Sequence, residues 1–116
     1  MERKSSKSMK IVTAFVKNNM LTDIISALHK FEGLTGASFS EIRGFGKTYG
    51  KEGTDYSDNH PHTRIEISCK DSIVNNLVST IQEKANTGLR GDGKIFVSTV
   101  EEVIRISTGE KGESAI

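Results

Sequence analysis

The chain has 116 residues, with 16 lysines and arginines against 15 aspartates and glutamates, so its formal net charge of +1 gives no field favouring nucleic acid or an anionic membrane. That length suits one domain with one core; no apolar run is long enough to span a bilayer, and no secretory signal pattern is present. The single cysteine, Cys69, excludes an internal disulfide framework and suits a reducing compartment, which makes the cytoplasm the expected location.

Residues 1–8 are polar and basic without apolar periodicity, and read as a disordered leader or an expression remnant ahead of a natural start at Met9. From Lys10 to Val16 the pattern alternates as a strand, with apolar residues on both faces. Asn18 and Asn19 are candidate caps of a helix carrying Leu21, Ile24, Ile25, Leu28 and Phe31 on one stripe and ending near Gly33. Ala37 to Arg43 reads as a second strand, closed by Gly44-Phe45-Gly46. A long polar interval follows, and Thr63 to Ser68 alternates as a third strand. Asp71 or Ser72 caps a second helix, with Ile73, Val74, Leu77, Val78 and Ile81 inward, stopping near Gly88. Lys94 to Ser98 makes a fourth strand, and Val103 to Ile106 a short further one.

Strand–helix–strand therefore occurs twice. Two such units packed into one antiparallel sheet with both helices on one face form a ferredoxin-like α+β sandwich, here a single domain over residues 9–116. The helices leave the other sheet face bare. Phe39, Ile65 and Ile67 are expected partly on it, and association with further copies is expected to cover it.

Two loops carry the chemistry. In the stretch Thr87-Gly88-Leu89-Arg90-Gly91-Asp92-Gly93-Lys94, glycines 88, 91 and 93 allow a ligand to approach the main chain closely, while Arg90 and Lys94 supply positive charge. The pattern serves equally as an anion cradle or as a helix C-cap followed by a tight turn. The polar interval from Lys47 to His62 is long for a hairpin connection and reads as a functional loop or a solvated one. Within it, His60 and His62, near Asp55 and Asp58, are candidate ligands for zinc or copper, or simply solvent-exposed imidazoles. His29 reads as an ordinary helix-boundary side chain, and Cys69 as a packing residue.

Gly91-Asp92-Gly93-Lys94-Ile95-Phe96-Val97, preceded by Thr87 and followed by Val100, resembles the C-terminal signature of the PII signal-transduction proteins. Gly44-Phe45-Gly46 resembles the start of their T-loop, which here spans about residues 44–62. Leu34-Thr35-Gly36, Arg64-Ile65-Glu66-Ile67, Val103-Ile104-Arg105-Ile106 and the tail from Thr108 are similar to family segments as well. The resemblance implies a cytoplasmic homotrimer that binds ATP or ADP in clefts between subunits and reports through the T-loop to a transporter or enzyme. Carried over by position, Gly91, Gly93, Lys94 and Arg105 serve the phosphates, with Asp92 counted in the same set. Gly36, Ser38 and Glu66 border adenine and ribose, and Gly44, Gly46 and Lys47 form the loop base.

This chain departs from the family pattern at several of those positions. Ser107 stands where the family has a second C-terminal arginine, which predicts weaker triphosphate binding and a relative preference for ADP or AMP. Lys47 replaces an arginine fork with a point charge. Thr48 and His62 replace the glutamine and lysine that place magnesium and 2-oxoglutarate. Magnesium remains an admissible companion of the nucleotide, whereas the two changes count against 2-oxoglutarate. The loop is shorter than usual, and the surroundings of Tyr56 do not reproduce the nucleotidylation pattern. Two alternatives remain: a metal-responsive relative tied to heavy-metal efflux, and a weak ATP-hydrolysing enzyme with Asp92 beside the phosphates. A non-catalytic regulator is the favoured expectation.

Overall fold

The computed structural model describes residues 9–44 and 60–116, His60 only as a strand position. Strand β1 (Met9–Lys17) leads through a 3-10 turn (Asn18–Met20) into helix α1 (Leu21–His29) and strand β2 (Ser38–Gly44). Strand β3 (His60–Lys70) leads directly into helix α2 (Asp71–Ala85), and strand β4 (Gly93–Thr99) follows. The sheet order is β2-β3-β1-β4 with every neighbouring pair antiparallel, which is the expected double βαβ arrangement.

Parity along the strands decides what is buried. Val12, Ala14 and Val16 of β1, with Ile65, Ile67 and Cys69 of β3, point to the helix side. There they meet Ile24 and Leu28 of α1 and the stripe Val74, Leu77, Ile81 and Ala85 of α2. The α2 residues recur at three- and four-residue spacing, so one helix face closes over the sheet. The placement of Cys69 in this core agrees with its reading as a packing residue.

One expectation is overturned here. Ile65 and Ile67 are fully buried beneath the helices, and Phe39, opposite Ile65, shares their side of the sheet. Antiparallel partners project to the same face, so the pairings Ala14↔Ile65 and Val12↔Ile67 leave no freedom. The bare face instead carries Ile11, Thr13, Phe15 and Phe96. The Phe15 and Phe96 rings meet edge to face, 6.0 Å between centroids at 78°.

The helix ends also differ from expectation. Asn18 and Asn19 lie in the 3-10 turn, and neither supplies a side-chain cap to α1. Asn18 Oδ1 instead accepts a 2.7 Å hydrogen bond from buried Thr63, tying the end of β1 to β3. Lys70, extended, is the cap position of α2, which makes Asp71 the first helical residue. Asp71 pairs with Lys10 at 3.0 Å, and its charge also suits a helix N-terminus. The expected fifth strand is reduced to a single bridge, Ile104 to Lys111. The chain reverses there: Arg105 N–H donates to Glu110 O at 2.8 Å and Gly109 N–H to Arg105 O at 2.7 Å. The first of these and Gly112 N–H donating to Val103 O at 3.1 Å make the bridge, and the turn closed by Gly109 ends the pairing there.

Candidate functional site

The loop between α2 and β4 is held by its own side chains. Asn86 leaves the helix in an extended conformation, and its Oδ1 accepts the Gly88 N–H at 2.8 Å. Thr87 N–H donates to Asp92 Oδ2 at 2.8 Å, and the Thr87 hydroxyl donates to Asp92 Oδ1 at 2.5 Å. The same hydroxyl oxygen accepts the Leu89 N–H at 3.1 Å. Lys17, the last residue of β1, places Nζ 3.2 Å from Asp92 Oδ1. The Thr87 side chain, more than any other contact, holds the Asp92 carboxyl below the usual carboxylate range, and Thr87 N–H and Lys17 add to this against a smaller opposing cost of burial.

Glycine is required at one point of this loop above all. Gly93 has φ +107°, and a Cβ there would overlap the Phe15 carbonyl oxygen of β1. The loop thus enters β4 with its main chain pressed against the central strand. Gly91 has φ +83°, and its carbonyl lies 3.1 Å from His62 Nε2 of β3. Lys17 and His62 are direct partners in the β1–β3 register, so two neighbouring side chains at one sheet end hold two successive loop residues. Arg90 and Lys94 are exposed. A cleft of about 420 Å³ opens beside the loop, lined in part by Val78, Gln82, Asn86, Gly93 and Lys94.

The other expected site residues are placed elsewhere. Ser38 opens β2 opposite Glu66, and Glu66 pairs with Arg64 at 2.8 Å. Across the sheet the rows read Ser38–Glu66–Thr13–Phe96 and Ser40–Arg64–Phe15–Lys94. Ser38 and Glu66 therefore share the bare face with Lys94. However, β2 and β4 are opposite edges, about 14 Å apart at the usual strand spacing. Gly36 precedes β2, and Gly44 ends it opposite His60. Arg105 lies in the C-terminal turn, 3.6 Å from Glu110. A single chain thus brings together Gly91, Asp92, Gly93 and Lys94, and leaves Gly36, Ser38 and Gly44 at the opposite edge, with Glu66 on β3, two strands from β4. Gly46, Lys47, Thr48, Tyr56 and the His60 side chain lie outside the described residues. Among the described residues, no three His, Cys, Asp or Glu side chains converge on a metal-sized site.

Sequence reasoning missed Lys17 and the Asn18–Thr63 bond. Lys17 had a usable signal, since it ends a strand whose register partner comes from the polar interval. The direction of its side chain needed the third dimension.

The sequence matches the family described as "Nitrogen regulatory protein P-II" over residues 9–110. The chain belongs to that family. It is 43% identical over 113 residues to nitrogen regulatory protein P-II of Azospirillum brasilense, covering 93% of this chain and 100% of that protein. The identity to P-II 1 of Escherichia coli K12 is also 43%, with the same coverage. Among solved structures, the Bacillus subtilis GlnK–ATP complex superposes with a TM-score of 0.80 at 29% identity, covering 98% of this chain and 100% of GlnK. Arabidopsis thaliana PII bound to citrate gives a TM-score of 0.77 at 38% identity, covering 95% and 94%. This chain is a P-II-family nitrogen regulatory signal-transduction protein, and no helix among its described residues is long and apolar enough to cross a membrane.

Proposed function

We propose that this P-II protein binds ATP and ADP at the 88–94 loop and controls a transporter or enzyme through its 44–62 loop. The observation that carries the reading is the shape of the 87–94 turn. Gly91 and Gly93 hold the positive-φ main chain of a turn whose N–H groups can face an anion, Lys94 and Arg90 offer charge, and the Asp92 carboxylate is turned onto Thr87 and Lys17. The GlnK relative with ATP bound supports the same ligand class.

Gly36 and Ser38 lie at the edge opposite this loop, and Glu66 lies on the adjoining inner strand β3. One nucleotide touches both groups of residues when they come from adjacent copies. That requirement, with Phe15, Phe96 and Ile11 on the bare face, supports a homotrimer with clefts between subunits. The cytoplasm is the compartment that fits nucleotide sensing. The regulation needs different contacts with ATP and ADP, since a ligand with equal affinity for two conformations shifts neither.

The role is regulatory, not catalytic. Phosphoryl transfer to water or a hydroxyl wants a base free to take a proton, and Asp92 is engaged at both oxygens and held ionised. His62 stands where the family places a 2-oxoglutarate-pairing lysine, and it is turned to the Gly91 carbonyl. That arrangement counts against 2-oxoglutarate as the second signal. Calorimetric titration with ATP and then ADP, each with and without magnesium, tests the proposal. Saturable binding with unequal affinities supports it, and no heat from either nucleotide removes it.

A further inference from the structure

We propose that Asp92 is the positioning residue of the nucleotide loop, holding its shape through Thr87 and Lys17 without touching the bound phosphates. The proposal rests on the nucleotide-binding reading of this loop. Its basis is the direction of the carboxylate. Oδ2 accepts the Thr87 N–H, and Oδ1 accepts the Thr87 hydroxyl and the Lys17 ammonium. These bonds close the loop across its two ends, from residue 87 to residue 92.

Closure of that kind matters here because the enclosed segment is intrinsically loose. Gly88, Gly91 and Gly93 all adopt positive φ, and glycine loses the most conformational freedom on ordering. An anion site of main-chain N–H groups works only if those groups already point inward, so the ordering cost is met before the ligand arrives. Electrostatics agree with this. A free carboxylate beside phosphates would repel them, whereas one engaged by Lys17 and two Thr87 donors has its charge balanced. Lys17 acts from the end of the central strand, and its register partner His62 holds Gly91 O in parallel. The loop is therefore docked on the sheet at adjacent residues.

The test compares wild type with Asp92→Asn, Thr87→Val, Thr87→Ser and the Thr87→Val/Asp92→Asn double variant. Affinity is read by calorimetry for ATP with magnesium, and for tripolyphosphate with EDTA. Amide exchange at Thr87 is read without any ligand. Asp92→Asn and Thr87→Val are each expected to weaken both ligands by about tenfold or more. Thr87→Ser, which keeps the hydroxyl, restores binding. The double variant binds no worse than the weaker single one, because both remove the same clamp. Thr87 amide exchange quickens in Asp92→Asn. A loss confined to the magnesium arm would make Asp92 a metal ligand and overturn the proposal, as would additive losses or a silent Thr87→Val. If wild type binds neither ligand, the nucleotide reading fails. In that case unchanged Thr87 exchange in Asp92→Asn overturns the clamp as well, and faster exchange upholds it.

Discussion

Gly93→Ala offers a quantitative test of how the loop is seated. A Cβ at this position would overlap the Phe15 carbonyl oxygen, which belongs to the central strand and cannot swing aside as a side chain could. The start of β4 must therefore move. The pairs Val16↔Gly93 and Phe15↔Lys94 are the last of the β1–β4 ladder, and their hydrogen bonds contribute about 1 kcal/mol each. Placing alanine at φ +107° costs about 1–3 kcal/mol more. A smaller unfolded-state entropy returns about 0.4–1 kcal/mol. The net destabilisation is roughly 2–4 kcal/mol, a large share of the ~5–15 kcal/mol that holds a domain of this size. Gly88→Ala is the control. Its φ is +81°, but no atom lies within 4 Å of the added methyl group, so it carries the backbone strain without the collision. Urea denaturation of both variants at one protein concentration measures the difference. The account requires Gly93→Ala to be less stable than Gly88→Ala by about 2 kcal/mol. Equal midpoints would refute the close approach of β4 to Phe15.

Other expectations follow from the same structure. Lys94→Ala should weaken ATP binding about tenfold or more, one charge-assisted contact being lost, and unchanged affinity in calorimetry would reject its role. Asp92 is held ionised more firmly in the fold than in the unfolded chain. Its contribution to stability is present above the ordinary carboxylate value and is lost as pH falls through the lowered folded value. Asp92→Asn should flatten that part of an acid denaturation curve, and an identical curve would contradict the engaged carboxylate. Burial and the neighbouring Asp71 push the Cys69 thiol up, against a smaller lowering by Lys10. Iodoacetamide at neutral pH should therefore label Cys69 only after denaturation, as read by mass spectrometry. Ile81→Ala empties a fully buried site beneath α2 and should cost about 2–5 kcal/mol in chemical denaturation.

What could be read from the sequence was what depends on local periodicity. The alternation in β1 and the three-and-four stripe of α2 required only the repeat lengths of strand and helix, and both elements stand within a few residues of their expected bounds. Which strand face is buried was not legible, because β1 carries apolar residues on both. Only the pairing with β3 decides, and it moved Phe39, Ile65 and Ile67 to the helix side. Caps failed for a related reason. Asn18 has the right chemistry for a helix end, but Thr63 offered a tertiary partner 45 residues away. At the loop, the glycines and Lys94 were visible as residue types. The direction of Asp92, engaged by Thr87 and by Lys17 from another strand, was not. The separation of Ser38 from Lys94 by the width of the sheet likewise follows from strand order, which no single motif encodes.

The central claim is that the 88–94 loop receives the phosphates of an adenine nucleotide. Backbone amide spectra of isotope-labelled protein recorded during an ATP titration test it most directly. The account predicts that the amides of Gly91, Gly93 and Lys94 shift first and furthest, saturating with the bound fraction. Binding that leaves those three amides unmoved would contradict it.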